Sequence, residues 1–170
     1  MKDPFFIRPI PWLSDVAQPL ADYLGLPVLP LHVHEIVFSL VLYMLIYYPI
    51  SPFLSSRIVP QYYSSFNRRT RINWDAHVVS LFQSILISTL AFWITYADEE
   101  LRSMDREERV WAYNGGAGMI QAFFVGYFIW DLSMALLHFE VFGPGALAHA
   151  VCALTVYTVG YVSLPTELPN

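Results

Sequence analysis

The stretch that decides the fold runs from Gly116 to Leu164, GAGMIQAFFVGYFIWDLSMALLHFEVFGPGALAHAVCALTVYTVGYVSL. It holds two long apolar runs, Gly116 to Phe139 and Leu147 to Leu164, on either side of Glu140 to Ala146. A helix needs about 20 apolar residues to cross a hydrocarbon layer of about 30 Å, and both runs are close to that length. The Phe142-Gly143-Pro144-Gly145 core of the connection stops a helix and turns the chain, so the two runs are expected to be antiparallel neighbours.

Two further apolar runs lie upstream. Ile36 to Ile50, closed by Tyr47, Tyr48 and Pro49, is short for a span unless His32 to Glu35 begin it at the interface. Ala76 to Ala97 is preceded by Asn73-Trp74-Asp75, which offers a capping side chain, an interfacial Trp and an acid at the positive helix end. The expected fold class is therefore all-α, an integral membrane bundle of about four transmembrane helices. Residues 1–31, with Pro4, Pro9, Pro11, Pro19, Pro27 and Pro30, form a Pro-rich N-terminal segment that does not read as a cleaved signal peptide. Within it, Asp15 to Leu26 suits a short interfacial helix with Trp12 and Tyr23 at headgroup depth. Residues 32–170 form the transmembrane domain.

Composition agrees. Of the 170 residues, 56% are hydrophobic and only 14% charged, and mean hydropathy is +0.45; an average soluble domain carries about 25% charged residues. The net charge of −5, with no Lys/Arg-rich tract, argues against nucleic acid as a partner. The single cysteine, Cys152, has no partner for a disulfide or a thiolate metal site and reads as a small apolar helix residue. No metal and no cofactor are expected.

The charged stretch Asp98 to Tyr113, with Asp98/Arg102 and Asp105/Arg109 at helical spacing, reads as a solvated surface helix. Arg57, Arg68, Arg69 and Arg71 fall on one side of the membrane, and Lys2, Arg8, Arg102, Arg106 and Arg109 on the other. The counts alone do not fix orientation. The cluster at Arg68 to Arg71 abuts the second span and suits the anionic cytoplasmic leaflet, which puts both termini in the lumen.

Faces follow from helical spacing. In the second span His77, Ser80, Ser84, Ser88, Ala91 and Thr95 recur at i+3 and i+4, a polar stripe expected to face protein. In the third, Gly118, Ala122 and Gly126 make a small-residue ridge that invites another helix. Asp131 sits about eight residues inside the third run, where an acid costs about 2.5–3.5 kcal/mol unless paired, protonated or hydrated. His138 and His149 flank the expected turn and so are placed at similar depth. Asp75, His77 and Gln83 enter from the same membrane side. Asp131, His138, His149, His77 and Gln83 are thus expected to line a cavity whose polar end holds a lipid headgroup, with Tyr127 and apolar walls for the acyl chain.

Three segments carry a family resemblance: Arg-Ile-Asn-Trp-Asp-Ala-His-Val-Val-Ser at 71–80, Gly-Tyr-Phe-Ile-Trp-Asp at 126–131 and Leu-Ala-His at 147–149. Together they resemble the TLC family. That family comprises multispanning, mainly endoplasmic-reticulum proteins: ceramide synthases, translocating-chain-associated proteins and smaller members tied to membrane lipid composition. The phrasing is nearest the small fungal-type members. By resemblance, Asp131 takes the family's acid after Gly-Tyr-Phe, and His149 the first of the paired histidines of ceramide synthases. The departures are Ala150 in place of the second histidine, Gln83 where many members have His, and no His-Asp-x-x-Asp element after Leu164. Asn170 comes where the family continues into a further helix or two, so the chain reads as a shortened member with a partial TLC domain.

What the resemblance implies is an endoplasmic-reticulum membrane protein that supports lipid homeostasis by binding or regulating lipid, with membrane lipids as its partners. Two alternatives stay open. One is an N-acyltransferase using acyl-CoA, with His149 as nucleophile or base and Asp131 orienting it. The other is an adaptor for membrane-protein partners, for which the surface of Asp98 to Tyr113 is the candidate.

Overall fold

The computed structural model describes residues 9–105 and 115–162. Four helical stretches in it are long and apolar enough to cross a membrane: Leu29–Ile58, Arg68–Ala97, Gly115–Leu137 and Phe139–Val159. They form an all-helical bundle, preceded by helix α1 (Pro11–Leu24).

The first span is twice as long as its apolar run suggests. Helix α2 (Leu29–Leu45) passes through a π-helical turn, Ile46–Ile50, straight into α3 (Ser51–Ile58). Pro49 lacks an N–H and its ring would clash with a carbonyl one turn back; the wider π turn absorbs both defects, so the chain continues where a proline reads as a stop. Pro52 then falls in the first turn of α3, where no N–H is needed. A four-residue helix α4 (Pro60–Tyr63) leads to α5 (Arg68–Ala97).

Helix α5 also starts earlier than the apolar run. Its cap is Asn67, whose side chain accepts from the Thr70 N–H at 2.9 Å; Asn73 and Asp75 lie inside the helix, and Asp75 is only 5% exposed. The first two turns carry Arg68, Arg69, Arg71 and Trp74, residues suited to headgroup depth. Helix α6 (Glu99–Ser103) follows, and Arg102 lies 3.9 Å from Glu99. Asp98, expected on a solvated face, is buried. The Asp105/Arg109 pairing, Arg106 and Tyr113, like Lys2, Arg8 and Leu164, lie outside the described residues.

Helices α7 (Gly115–Leu137) and α8 (Phe139–Val159) are antiparallel. The side chain of Gln121 donates to the Tyr157 carbonyl, Tyr161 reaches the Gly118 carbonyl at 3.4 Å, and Phe128 meets His149. The chain leaves α7 at His138, earlier than expected, and breaks helical geometry again at Gly143, at φ +75°, which divides α8 into two segments. Only glycine takes that conformation without strain. Helix α8 is peripheral: Ala150 is its one fully buried residue among those described.

Helix α7 is the centre of the bundle. Its ridge of Gly118, Ala122 and Gly126 faces α2, where Ser39 donates to the Ile36 carbonyl at 2.9 Å and lies 3.4 Å from that of Ala122. A Cβ on Gly126 would stand 2.8 Å from the Ile36 carbonyl oxygen, and one on Gly118 would run into the His32 ring. The main core joins Tyr43, Tyr47, Val79, Met119, Phe123, Trp130 and Met134. A second one, at the α1 end, joins Ala21, Leu26, Val28, Ile36, Ala122 and Tyr161. Helix α1 ends at Gly25 in the left-handed conformation and exposes Trp12, Val16, Leu20 and Tyr23.

Candidate functional site

Two concavities lined by described residues bear on the expected site. The first, a groove of about 320 Å³ between α5 and α7, is lined by Ser80, Gln83, Ser84, Ile87, Ser88, Phe124, Tyr127 and Phe128. Its floor is fixed by long-range hydrogen bonds. The Tyr127 and Ser80 hydroxyls share one at 2.9 Å, and the buried Tyr43 hydroxyl donates to the Gln83 carbonyl oxygen. Tyr43 and Tyr127 meet edge to face at 5.5 Å, which holds the phenols in register.

The second, about 510 Å³, lies at the α4 end between the π turn, the start of α5 and the end of α7. Tyr47, Tyr48, Pro52, Phe66, Arg68, Arg71, Ile72, Asp75 and His138 line it. Asp75 is held by donors from two other helices: Ser51 donates at 2.6 Å and the Tyr63 hydroxyl at 3.0 Å. The π turn sets Ser51 at that position. Burial first, then the hydrogen bond to Asp75 and its charge, push the Tyr63 phenol up to about 12 against the opposing pull of Arg71. The Arg71 guanidinium lies over the Tyr63 ring, 4.9 Å from its centre. Trp74 donates to Ser55 at 2.9 Å and packs on the Phe66 ring, which lines the pocket. Tyr47, Trp130 and Tyr127 form an aromatic layer between the concavities, with centres 5.7–5.8 Å apart in sequence.

The expected cavity is thereby divided. Gln83 and Tyr127 line the groove. Asp131, half-buried, lies one helical turn beyond Tyr127 and within electrostatic reach of His149. Among the described residues no hydrogen bond joins those two, and His149 is exposed with its ring against Phe128. His138 belongs to the other pocket. The shared depth of His138 and His149 does not hold, because the chain leaves α7 at His138 and has run back past the Gly143 break before reaching His149. His149 meets Phe128, about 15 Å along α7 from His138. His77 is outside both concavities: it is exposed and its Nδ1 bonds the Asn73 carbonyl of its own helix at 2.7 Å.

The polar stripe of α5 also departs from expectation. Ser84, Ser88, Ala91 and Thr95 are exposed, while Asp75, Ala76, Val79, Gln83, Leu90 and Ile94 make the packed face. Ser84 and Thr95 satisfy their hydroxyls on carbonyls four residues back, which removes the need for a protein neighbour. Sequence reasoning missed Ser51, Tyr63 and Tyr43 as partners of Asp75 and Gln83. It took Arg68 and Arg71 only as markers of orientation. It also left His32 and Glu35 at the interface, whereas they form a buried pair at 2.6 Å, with His32 stacked on Tyr161.

Comparison with known proteins adds to this geometry. The TLC domain profile matches residues 73–167. An uncharacterized TLC domain-containing protein of Schizosaccharomyces pombe is 36% identical over 149 residues, 88% of this chain and 49% of that protein. Topoisomerase I damage affected protein 4 of Saccharomyces cerevisiae is 28% identical over 126 residues, 74% of this chain and 43% of that one. TLC domain-containing protein 4 of Homo sapiens is 27% identical over 111 residues, 65% and 40% respectively. The chain thus spans less than half the length of these relatives. No solved structure matches.

Proposed function

Because the chain belongs to the TLC-domain family, we propose that it is a membrane protein of the endoplasmic reticulum that binds membrane lipid and serves lipid homeostasis. Its four apolar helices suit an integral membrane protein; the reticulum and the lipid role come from the family resemblance. The observation that carries the reading is the groove between α5 and α7. Phe124, Phe128 and Ile87 give it an apolar wall, and Ser80, Gln83 and Tyr127 give it a few fixed polar groups. Asp131 and His149 stand just beyond it. With Arg68 to Arg71 toward the cytosol, that rim belongs to the cytoplasmic half of the bundle.

Acyl transfer asks more of the site. His149 would have to be oriented by an acid, and Asp131 makes no hydrogen bond to it among the described residues, so lipid binding is the favoured reading. The test is the amount of phospholipid that the purified protein retains. Ser84→Trp, at an exposed groove wall, should displace lipid while leaving helix content unchanged.

A further inference from the structure

We propose that the pocket at the α4 end is a headgroup site for an anionic glycerophospholipid, with Arg68 and Arg71 receiving its phosphodiester. This rests on the lipid-binding reading and assigns it a ligand class. The pocket has the volume for a headgroup and glycerol, about 510 Å³, and lies beside Trp74, where α5 passes from its arginine-bearing turns into its apolar run at Ala76.

The charges at the wall are unspent. Among the described residues Arg68 makes no hydrogen bond or ion pair, and Arg71 makes only a long bond, 3.4 Å, to the Tyr63 carbonyl besides its stacking on the Tyr63 ring. A guanidinium presents five donors in a fork that matches phosphate, so most of the donors at this wall are free for a ligand. Asp75 forms no ion pair with either arginine among the described residues, and its two oxygens accept from Ser51 and Tyr63. With two guanidinium charges against one carboxylate the pocket keeps one positive charge, which a singly charged phosphodiester balances. The first turn of α5 adds its dipole in the same sense. His138 lines the same wall, and its Nδ1 is shielded from solvent with no hydrogen-bond partner among the described residues. Tyr47, Tyr48, Phe66 and Ile72 supply the apolar sides that a glycerol backbone needs and a free inorganic anion does not.

The experiment uses the whole chain in nanodiscs of equal phosphatidylcholine and phosphatidylglycerol, with lipid released after detergent extraction counted by native mass spectrometry. The wild type should be enriched in phosphatidylglycerol. Arg68→Gln, which breaks no hydrogen bond or ion pair within the described residues, should lower that enrichment by about tenfold, the loss expected for one charge-assisted bond. Arg68→Lys should retain part of it, and helix content should stay unchanged in both variants. Enrichment that survives Arg68→Gln, or its absence from the wild type while lipid is still bound, overturns the headgroup assignment alone. Loss of the bound phosphatidylglycerol to excess inorganic phosphate marks a site for soluble anions and also overturns it. A wild type that holds no lipid at all instead removes the lipid-binding reading beneath it.

Discussion

Replacing Gly126 with alanine puts a methyl group where α2 leaves no room. The new Cβ would meet the Ser39 hydroxyl and stand 2.8 Å from the Ile36 carbonyl oxygen and 3.1 Å from the Leu40 nitrogen. Ser39 can turn away; the two backbone atoms cannot. To restore ordinary contact, α2 and α7 must part by roughly 0.5 Å at this level, and a gap of that size forfeits about a quarter of the dispersion well for each atom pair along the seam. Overpacking of this kind costs about 1–3 kcal/mol. At about 2–4 °C per kcal/mol for a chain of this length, a cost of about 2 kcal/mol lowers Tm by about 4–8 °C. Tryptophan fluorescence during heating in detergent reads the shift. Gly145→Ala, with nothing within 4 Å of the added Cβ, is the control and should stay within about 0.5 kcal/mol of the wild type. Equal Tm for Gly126→Ala and the wild type, or full recovery on adding Ser39→Gly, would refute the claim that backbone proximity fixes this helix pair.

The Tyr43–Gln83 bond gives a second prediction. Tyr43→Phe leaves a buried amide that already has an unpartnered Nε2 among the described residues, at a cost of about 1–3 kcal/mol, whereas Tyr43→Phe with Gln83→Met removes both polar groups and should be milder. Thermal melts of the single and double variants decide it, and equal losses would contradict it. A third concerns pH. Tyr63 ionises only near 12 in the folded chain, against about 10 when unfolded, so its contribution is complete below about pH 10 and is lost as pH rises through about 12. The stability advantage of the wild type over Tyr63→Phe should therefore shrink across that window in alkaline melts; an advantage that stays constant through it would show that the phenol is not held neutral by its surroundings.

The four spans and the Gly118, Ala122 and Gly126 ridge were legible because continuous apolar runs and small residues at a spacing of four are local patterns. What was not legible depended on distant partners or on rules that tertiary structure overrides. Pro49 reads as a terminator, and only the π turn, which no residue type announces, carries the helix through it. The first two turns of α5 are arginine-rich and lack hydrophobic periodicity, so Asn73 and Asp75 looked like its cap and Asn67 did not. Asp75 then read as an acid at the positive helix end, when it lies inside the helix and Ser51 and Tyr63 hold it from 24 and 12 residues away. The Gly143-Pro144-Gly145 element looked like the whole of the reversal; Gly143 does break the helix, but the chain has already left α7 at His138, five residues earlier. That single shift separates His138 from His149 and splits one expected cavity into a groove and a pocket.

Whether the groove between α5 and α7 holds lipid can be read by counting phospholipids on the purified protein by native mass spectrometry. The comparison is between wild type, Ser84→Trp in the groove and Val156→Trp on the exposed face of α8. Bound phospholipid is expected on the wild type and on Val156→Trp, and its loss from folded Ser84→Trp. Equal lipid counts for all three would contradict it.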